Sequence, residues 1–173
     1  MKHDSSFSPF LLPRTSWIKW AAPFVEKVTG LNYLHKQYEQ RPRQLNTPDF
    51  LTFTLGTLGI DFEVKGVELS EIPKTGSLLI VANHPLGGVE GVILAKILLQ
   101  VRPDLKVMAN HYLKRIPELD ELFIGVDVFE GSEAVKSNMK AIRSAGNHLK
   151  NEGALLIFPA GEVSTYDKTS GRL

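Results

Sequence analysis

The stretch SLLIVANHPLGGVEGVILAKILL, Ser77 to Leu99, passes from an apolar strand-like run through a polar loop into a helix-like run. Its first part, SLLIVA, reads as a short strand buried on both faces, and Val89 to Val101 reads as the helix that follows it. Between them lie one histidine, His84, two adjacent glycines, Gly87 and Gly88, and one acid, Glu90. Strand, loop and helix in this order form the repeating piece of an α/β fold, and similar pieces recur downstream.

Working outward, KVMAN (106–110) and LFIGVDVF (122–129) read as further strands, and a helix is expected over Ser132 to Lys150. Val135, Met139, Ile142, Ala145 and Leu149 fall on one stripe of that helix, and Asn151-Glu152-Gly153 stops it. ALLIF (154–158) is then another buried strand, running directly into PAGEVS. On the other side, DFEVKGVEL (61–69) alternates apolar and polar residues, which predicts a strand exposed on one face. Earlier still, LNYLHKQYEQRPR predicts a helix stopped before Pro42, and Thr47-Pro48 resembles a helix cap with proline in the first turn. The fold class is therefore α/β, a largely parallel central sheet flanked by helices, preceded by a helical segment. Residues 1–60 form the lead-in and 61–173 the α/β domain. Because a functional-looking loop follows ALLIF with no closing element after it, a truncated domain lacking its C-terminal part is expected.

Composition narrows the function. A chain of 173 residues with 43% apolar content suits one domain with a proper core. A net charge of +1, with basic and acidic residues interspersed, gives no global attraction to nucleic acid. No cysteine is present, which excludes disulfides and thiolate catalysis and fits a reducing, cytoplasmic setting. Neither a secretory signal nor a transmembrane span is visible. Residues 1–60 carry seven Lys or Arg against four acids, whereas residues 61–173 carry thirteen against fifteen. Within that basic front, Trp17, Trp20, Phe24 and Val28 share a helical stripe beside Lys19 and Lys27. Such a helix either packs on the main domain or lies in a membrane interface.

In open parallel sheets, functional groups collect beyond the carboxyl ends of strands. HPLGGVE and PAGEVS both occupy that position. A histidine there can act as general base, since imidazole both takes and gives a proton near neutral pH. Glu90 lies in the first turn of the next helix, and a chain folded sharply at Gly87-Gly88 would return its carboxylate to the imidazole. It would then fix the tautomer and stabilise the imidazolium, as the third member of a catalytic triad does. The loop offers no nucleophilic Ser or Cys, so the nucleophile would be a hydroxyl or amine of the substrate. In the second loop, Gly161 allows close backbone approach, N–H groups suit an oxyanion or a phosphate, and Glu162 and Ser164 are candidates for acceptor contacts. Two other readings remain open from the residues: a metal site using His84, Glu90 and Glu162, as in a metal-dependent hydrolase, and a non-catalytic membrane- or lipid-binding module. Arg102, Lys106, His111, Lys114 and Arg115 form a modest basic cluster that would suit docking of an acidic partner. His111 and His148 read as structural or exposed.

NHPLGGVEG together with FPAGEVS resembles the glycerophospholipid (lysophospholipid) acyltransferase superfamily, and within it the bacterial hemolysin-like branch related to ornithine-lipid synthesis. The resemblance covers roughly Phe62 to Ser170. The usual superfamily spacing places four residues between histidine and aspartate; here five intervene and the acid is Glu90. The later Phe-Pro-Glu-Gly motif is here Phe158-Pro159-Ala160-Gly161, with the carboxylate displaced to Glu162. The resemblance implies transfer of a fatty acyl group from an acyl thioester, on coenzyme A or acyl carrier protein, to a hydroxyl or amine of a lipid precursor. It implies His84 and Glu90 as the catalytic pair, with Gly87, Gly88, Phe158, Pro159, Ala160, Gly161 and Glu162 at the acceptor or oxyanion. No metal and no cofactor beyond the acyl donor are expected. The partners implied are the donor, a lipid acceptor and a peripheral membrane contact on the inner face, with no nucleic acid.

Overall fold

The structure, a computed structural model, describes residues 9, 31–66, 68–127 and 132–160. The chain divides into two compact units, Met1–Gln44 and Leu45–Leu173. The stretch around Trp17 and Trp20 lies outside the described residues.

In the first unit, α1 (Leu31–Glu39) ends just ahead of Pro42. The residue before a proline is pushed out of the helical region, so the stop is local. Arg41 covers this end: its Nη1 donates to Tyr38 O at 2.9 Å and its guanidinium lies 3.5 Å from the Tyr38 ring centroid.

The second unit begins with α2 (Thr47–Leu58). Its cap is Asn46, one residue earlier than the sequence suggested, whose side chain accepts from Asp49 N at 2.8 Å. Pro48 then occupies the first turn, where no helical N–H is needed. This helix was grouped with the lead-in on sequence, but it is part of the second unit and packs on α3 (Gly88–Leu98).

Four strands, β1 (Leu78–Val81), β2 (Lys106–Asn110), β3 (Phe123–Val126) and β4 (Ala154–Ile157), form one parallel sheet in the order β1-β4-β2-β3. The fold is α/β. From β1 to β2 the chain crosses the sheet in one direction, and from β3 to β4 it returns through α4 (Ser132–Lys150). Right-handed crossovers in opposite directions place α3 and α4 on opposite faces. β4 is central and buried: Ala154 and Leu156 expose no surface. That is what an uninterrupted apolar run such as ALLI is suited to.

Two sequence expectations are corrected. DFEVKGVEL forms no strand in its described residues; 61–66 are exposed, and Leu69–Glu71 make a 3₁₀ turn. Its alternation faces water, and Gly66, at φ 96°, turns the chain out of extended geometry. β1 is not buried on both faces, because among the described residues it pairs only with β4 and leaves Leu79 51% and Val81 58% exposed. Along the α4 stripe, Val135, Met139 and Ile142 are 63%, 48% and 56% exposed, whereas Ala145, with Ala141 beside it, is buried. Small alanines allow the helix axis close to the sheet, so the larger apolar residues sit beside the contact.

A buried arginine ties together the amino ends of the strands. Arg102, 1% exposed, donates Nε and Nη2 to the two Asp104 carboxylate oxygens at 2.8 and 2.7 Å. It also donates to Pro73 O ahead of β1 and to Glu152 O ahead of β4. Asp104 in turn accepts from Ala154 N at 3.1 Å. Bidentate pairing with Arg102 lowers the Asp104 carboxyl to about 2. Burial of a full charge is tolerated because each of its three nitrogens has a hydrogen-bond partner.

Candidate active site

At the opposite, carboxyl end of the sheet, pairing continues one residue past β1, where Ala82 N donates to Ile157 O at 3.1 Å. His84 therefore leaves the sheet beside the strand that delivers Phe158. The chain reverses at Gly87, with φ 76° and ψ −123°, a region essentially closed to side-chain-bearing residues. Gly88 needs no such freedom; it is simply the first residue of α3.

Reversal at Gly87 puts Glu90 in the first turn of α3. From there its Oε1 accepts from Leu86 N at 3.0 Å and lies 2.8 Å from His84 Nδ1. The contact with the backbone amide works like the returning half of a capping box, and the positive end of the helix favours the carboxylate. Both side chains are mostly enclosed, 23% and 14% exposed. The approach to His84 is close without being an aligned hydrogen bond, and Glu90 Oε2 meets no hydrogen-bond partner. Resting catalytic contacts are often loose and tighten when substrate arrives.

Phe158 completes the enclosure. Its ring centroid lies 4.7 Å from that of His84, with the planes tilted by 35°. The same ring passes over Gly91, where a Cβ would be 3.9 Å from Phe158 Cζ. The two sequence motifs thus meet side by side. Pro159 and Ala160 follow at the exposed rim, while Gly161, Glu162 and Ser164 lie outside the described residues. Among the described residues, no group of three or more His, Cys, Asp or Glu could hold a metal ion.

The basic cluster read from sequence is divided by the sheet. Arg102 is consumed in the buried clamp, and Lys106, at the start of β2, donates to Glu121 O. His111, Lys114 and Arg115 sit instead in a 3₁₀ turn after β2, at the carboxyl end. There the Arg115 guanidinium lies 4.6 Å from the Tyr112 ring centroid, and Lys114 pairs with Asp120 at 3.1 Å. His148 is structural: its Nε2 lies 3.0 Å from Ala154 O, and its ring occupies the space a Gly153 side chain would need. A cleft of about 250 Å³ at the amino ends, lined in part by Thr47, Leu105 and Lys106, is remote in the topology from His84.

Sequence reasoning missed the Leu86 amide as the group that holds Glu90. A glutamate three residues after the helix-capping position was the available signal.

The model of a family described as "Acyltransferase" matches residues 14–171. The chain belongs to this acyltransferase family. Two curated relatives carry the name lyso-glycine lipid O-acyltransferase. The protein from Bacteroides thetaiotaomicron is 26% identical over 147 residues, spanning 84% of this chain and 51% of the relative. The one from Phocaeicola vulgatus is 31% identical over 119 residues, spanning 67% of this chain and 39% of the relative. This acyltransferase-family chain thus spans about half the length, or less, of these curated relatives. No solved structure matches it.

Proposed function

We propose that this chain carries the centre of a lipid acyltransferase that moves a fatty acyl group from an acyl thioester to a hydroxyl of a lysolipid-type acceptor. The observation carrying the proposal is the 2.8 Å approach of Glu90 Oε1 to His84 Nδ1 at the carboxyl rim of the sheet. With Nδ1 facing the carboxylate, Nε2 is the nitrogen left to take the acceptor's proton. The freed oxygen attacks the thioester carbonyl; the tetrahedral intermediate expels the thiolate, which recovers the proton from the imidazolium. Glu90 stabilises that imidazolium and keeps the tautomer. Backbone N–H groups at Gly87 and Gly88, opening α3, would stabilise the oxyanion. Phe158 to Glu162 would border the acceptor.

The names of the relatives favour a hydroxyl over an amine as acceptor. A coenzyme A or acyl-carrier-protein thioester serves as donor, with no other cofactor. No described helix is long and apolar enough to cross a membrane. Contact with a bilayer, on its inner face, would be peripheral, with Leu86, 66% exposed and two residues after His84, touching lipid.

The test is release of free thiol when the protein is mixed with acyl-thioester donors and lysolipid acceptors. Because the chain has no cysteine, a thiol-trapping reagent reports only the donor. Thiol release that requires both substrates and vanishes in His84→Ala supports the reading. Release equal in wild type and His84→Ala contradicts it.

A further inference from the structure

The His84 ring is restrained by two neighbours of different kinds. Glu90 Oε1 stands 2.8 Å from Nδ1, off the line of an aligned hydrogen bond. The Phe158 ring centroid lies 4.7 Å from that of the imidazole, the planes tilted by 35°. A close contact at one nitrogen that is not an aligned hydrogen bond restrains the ring only weakly. A neighbouring aromatic ring restricts it further, and an aromatic pair at this separation is favourable by about 0.5–1.5 kcal/mol.

Phe158 is itself well anchored. It directly follows β4, whose Ile157 carbonyl accepts from Ala82 N, so the strand carrying that ring is stitched to the strand carrying the histidine. Behind it lies Gly91 in the first turns of α3, where an added Cβ would sit at ordinary contact distance from the ring, 3.9 Å. Glu90, the neighbour of Gly91, is fixed by Leu86 N. Three segments therefore converge on one imidazole.

We infer that Phe158 is a positioning residue for His84: its ring holds the imidazole against Glu90 in the tautomer that leaves Nε2 free, and keeps water off that pair. This rests on the proposed acyl-transfer reading and assigns Phe158 an action through His84 in addition to bordering the acceptor. The imperfect alignment of Nδ1 toward Oε1 makes the neighbouring ring more important, because a loose contact at one nitrogen cannot hold the imidazole alone.

The test uses the whole chain with ¹⁵N-labelled histidine. Long-range nitrogen–proton correlation gives the tautomer of each of the five histidines, and His84→Ala assigns the signal of residue 84. In Phe158→Leu, which keeps apolar volume without a ring, the Nδ1–H fraction of His84 should fall by roughly half, and its ring-current shift should disappear. Phe158→Tyr, which keeps the ring, should retain both. In turnover, Phe158→Leu should lower kcat by roughly ten- to a hundredfold with KM little changed, the pattern of a misplaced catalytic group. Should Phe158→Leu leave the His84 tautomer as in wild type, or raise KM at unchanged kcat, the positioning role is overturned. If His84→Ala keeps full transfer, the functional reading fails on its own, and the tautomer measurement still decides the link between the two rings.

Discussion

Glu90 Oε1 lies 2.8 Å from His84 Nδ1 although five residues separate them, because the chain between them reverses at a glycine with φ 76°. The extra residue relative to the superfamily's usual spacing is absorbed at Gly87, not by displacing the acid. Leu86 N holds the carboxylate from the other side at 3.0 Å. The pair is therefore a product of loop conformation as much as of residue identity.

Gly87→Ala tests that dependence. A Cβ at φ 76° and ψ −123° costs about 1–3 kcal/mol if the loop is kept, and separates Glu90 from His84 if it is not. Chemical denaturation should show a lowered midpoint, and thiol release should fall with it. Gly88→Ala is the contrasting variant: no atom lies within 4 Å of the added Cβ, and stability should change little.

Gly125→Ala should be more damaging than a strand glycine ordinarily would be. The added Cβ would fall 2.9 Å from His111 Cα, so the 3₁₀ turn carrying Tyr112, Lys114 and Arg115 would have to lift from β3. A loss of roughly 1–3 kcal/mol is expected. Chemical denaturation, with amide hydrogen exchange localised to residues 111–126, checks it.

Acid sensitivity should trace to the amino-end clamp. Arg102 holds the Asp104 carboxyl near 2, below its ordinary value of 3.8. A group depressed on folding stabilises the protein above its unfolded pKa, so this contribution is complete above about pH 5 and is lost as pH falls toward 2. Asp104→Asn should flatten that part of the stability curve measured by denaturation across pH. Arg102→Met should lower stability at neutral pH by roughly 2–3 kcal/mol, less than for a fully enclosed pair, because Asp104 keeps 40% of its side-chain surface in water.

Much of this molecule is legible in its sequence, for reasons visible at particular residues. ALLI, buried at the sheet centre, and the helix from Ser132 to Lys150 declare themselves by pattern. What misled was the apolar run SLLIVA read as buried on both faces. Leu79, Val81, Val135, Met139 and Ile142 are apolar and exposed, because strand order and the close approach permitted by Ala141 and Ala145 decide what is covered. Likewise the basic run from Arg102 to Arg115 looks continuous in sequence, yet β2 carries its two ends to opposite ends of the strands. His84 and Glu90 were recognisable as candidates by type and position. Their closeness was not, since it depends on the Gly87 dihedrals and the Leu86 amide. The stacking of Phe158 on His84 depends on β1 and β4 being neighbours, a long-range pairing that no local pattern encodes.

The most direct test of the His84–Glu90 pair is a double-mutant cycle read by thiol release with one donor and one acceptor. If the two act as one unit, Glu90→Gln alone should cost roughly 10²–10⁴ in kcat, and adding it to His84→Ala should cost nothing further. Full activity in Glu90→Gln, or losses that simply multiply in the double variant, would contradict the pairing.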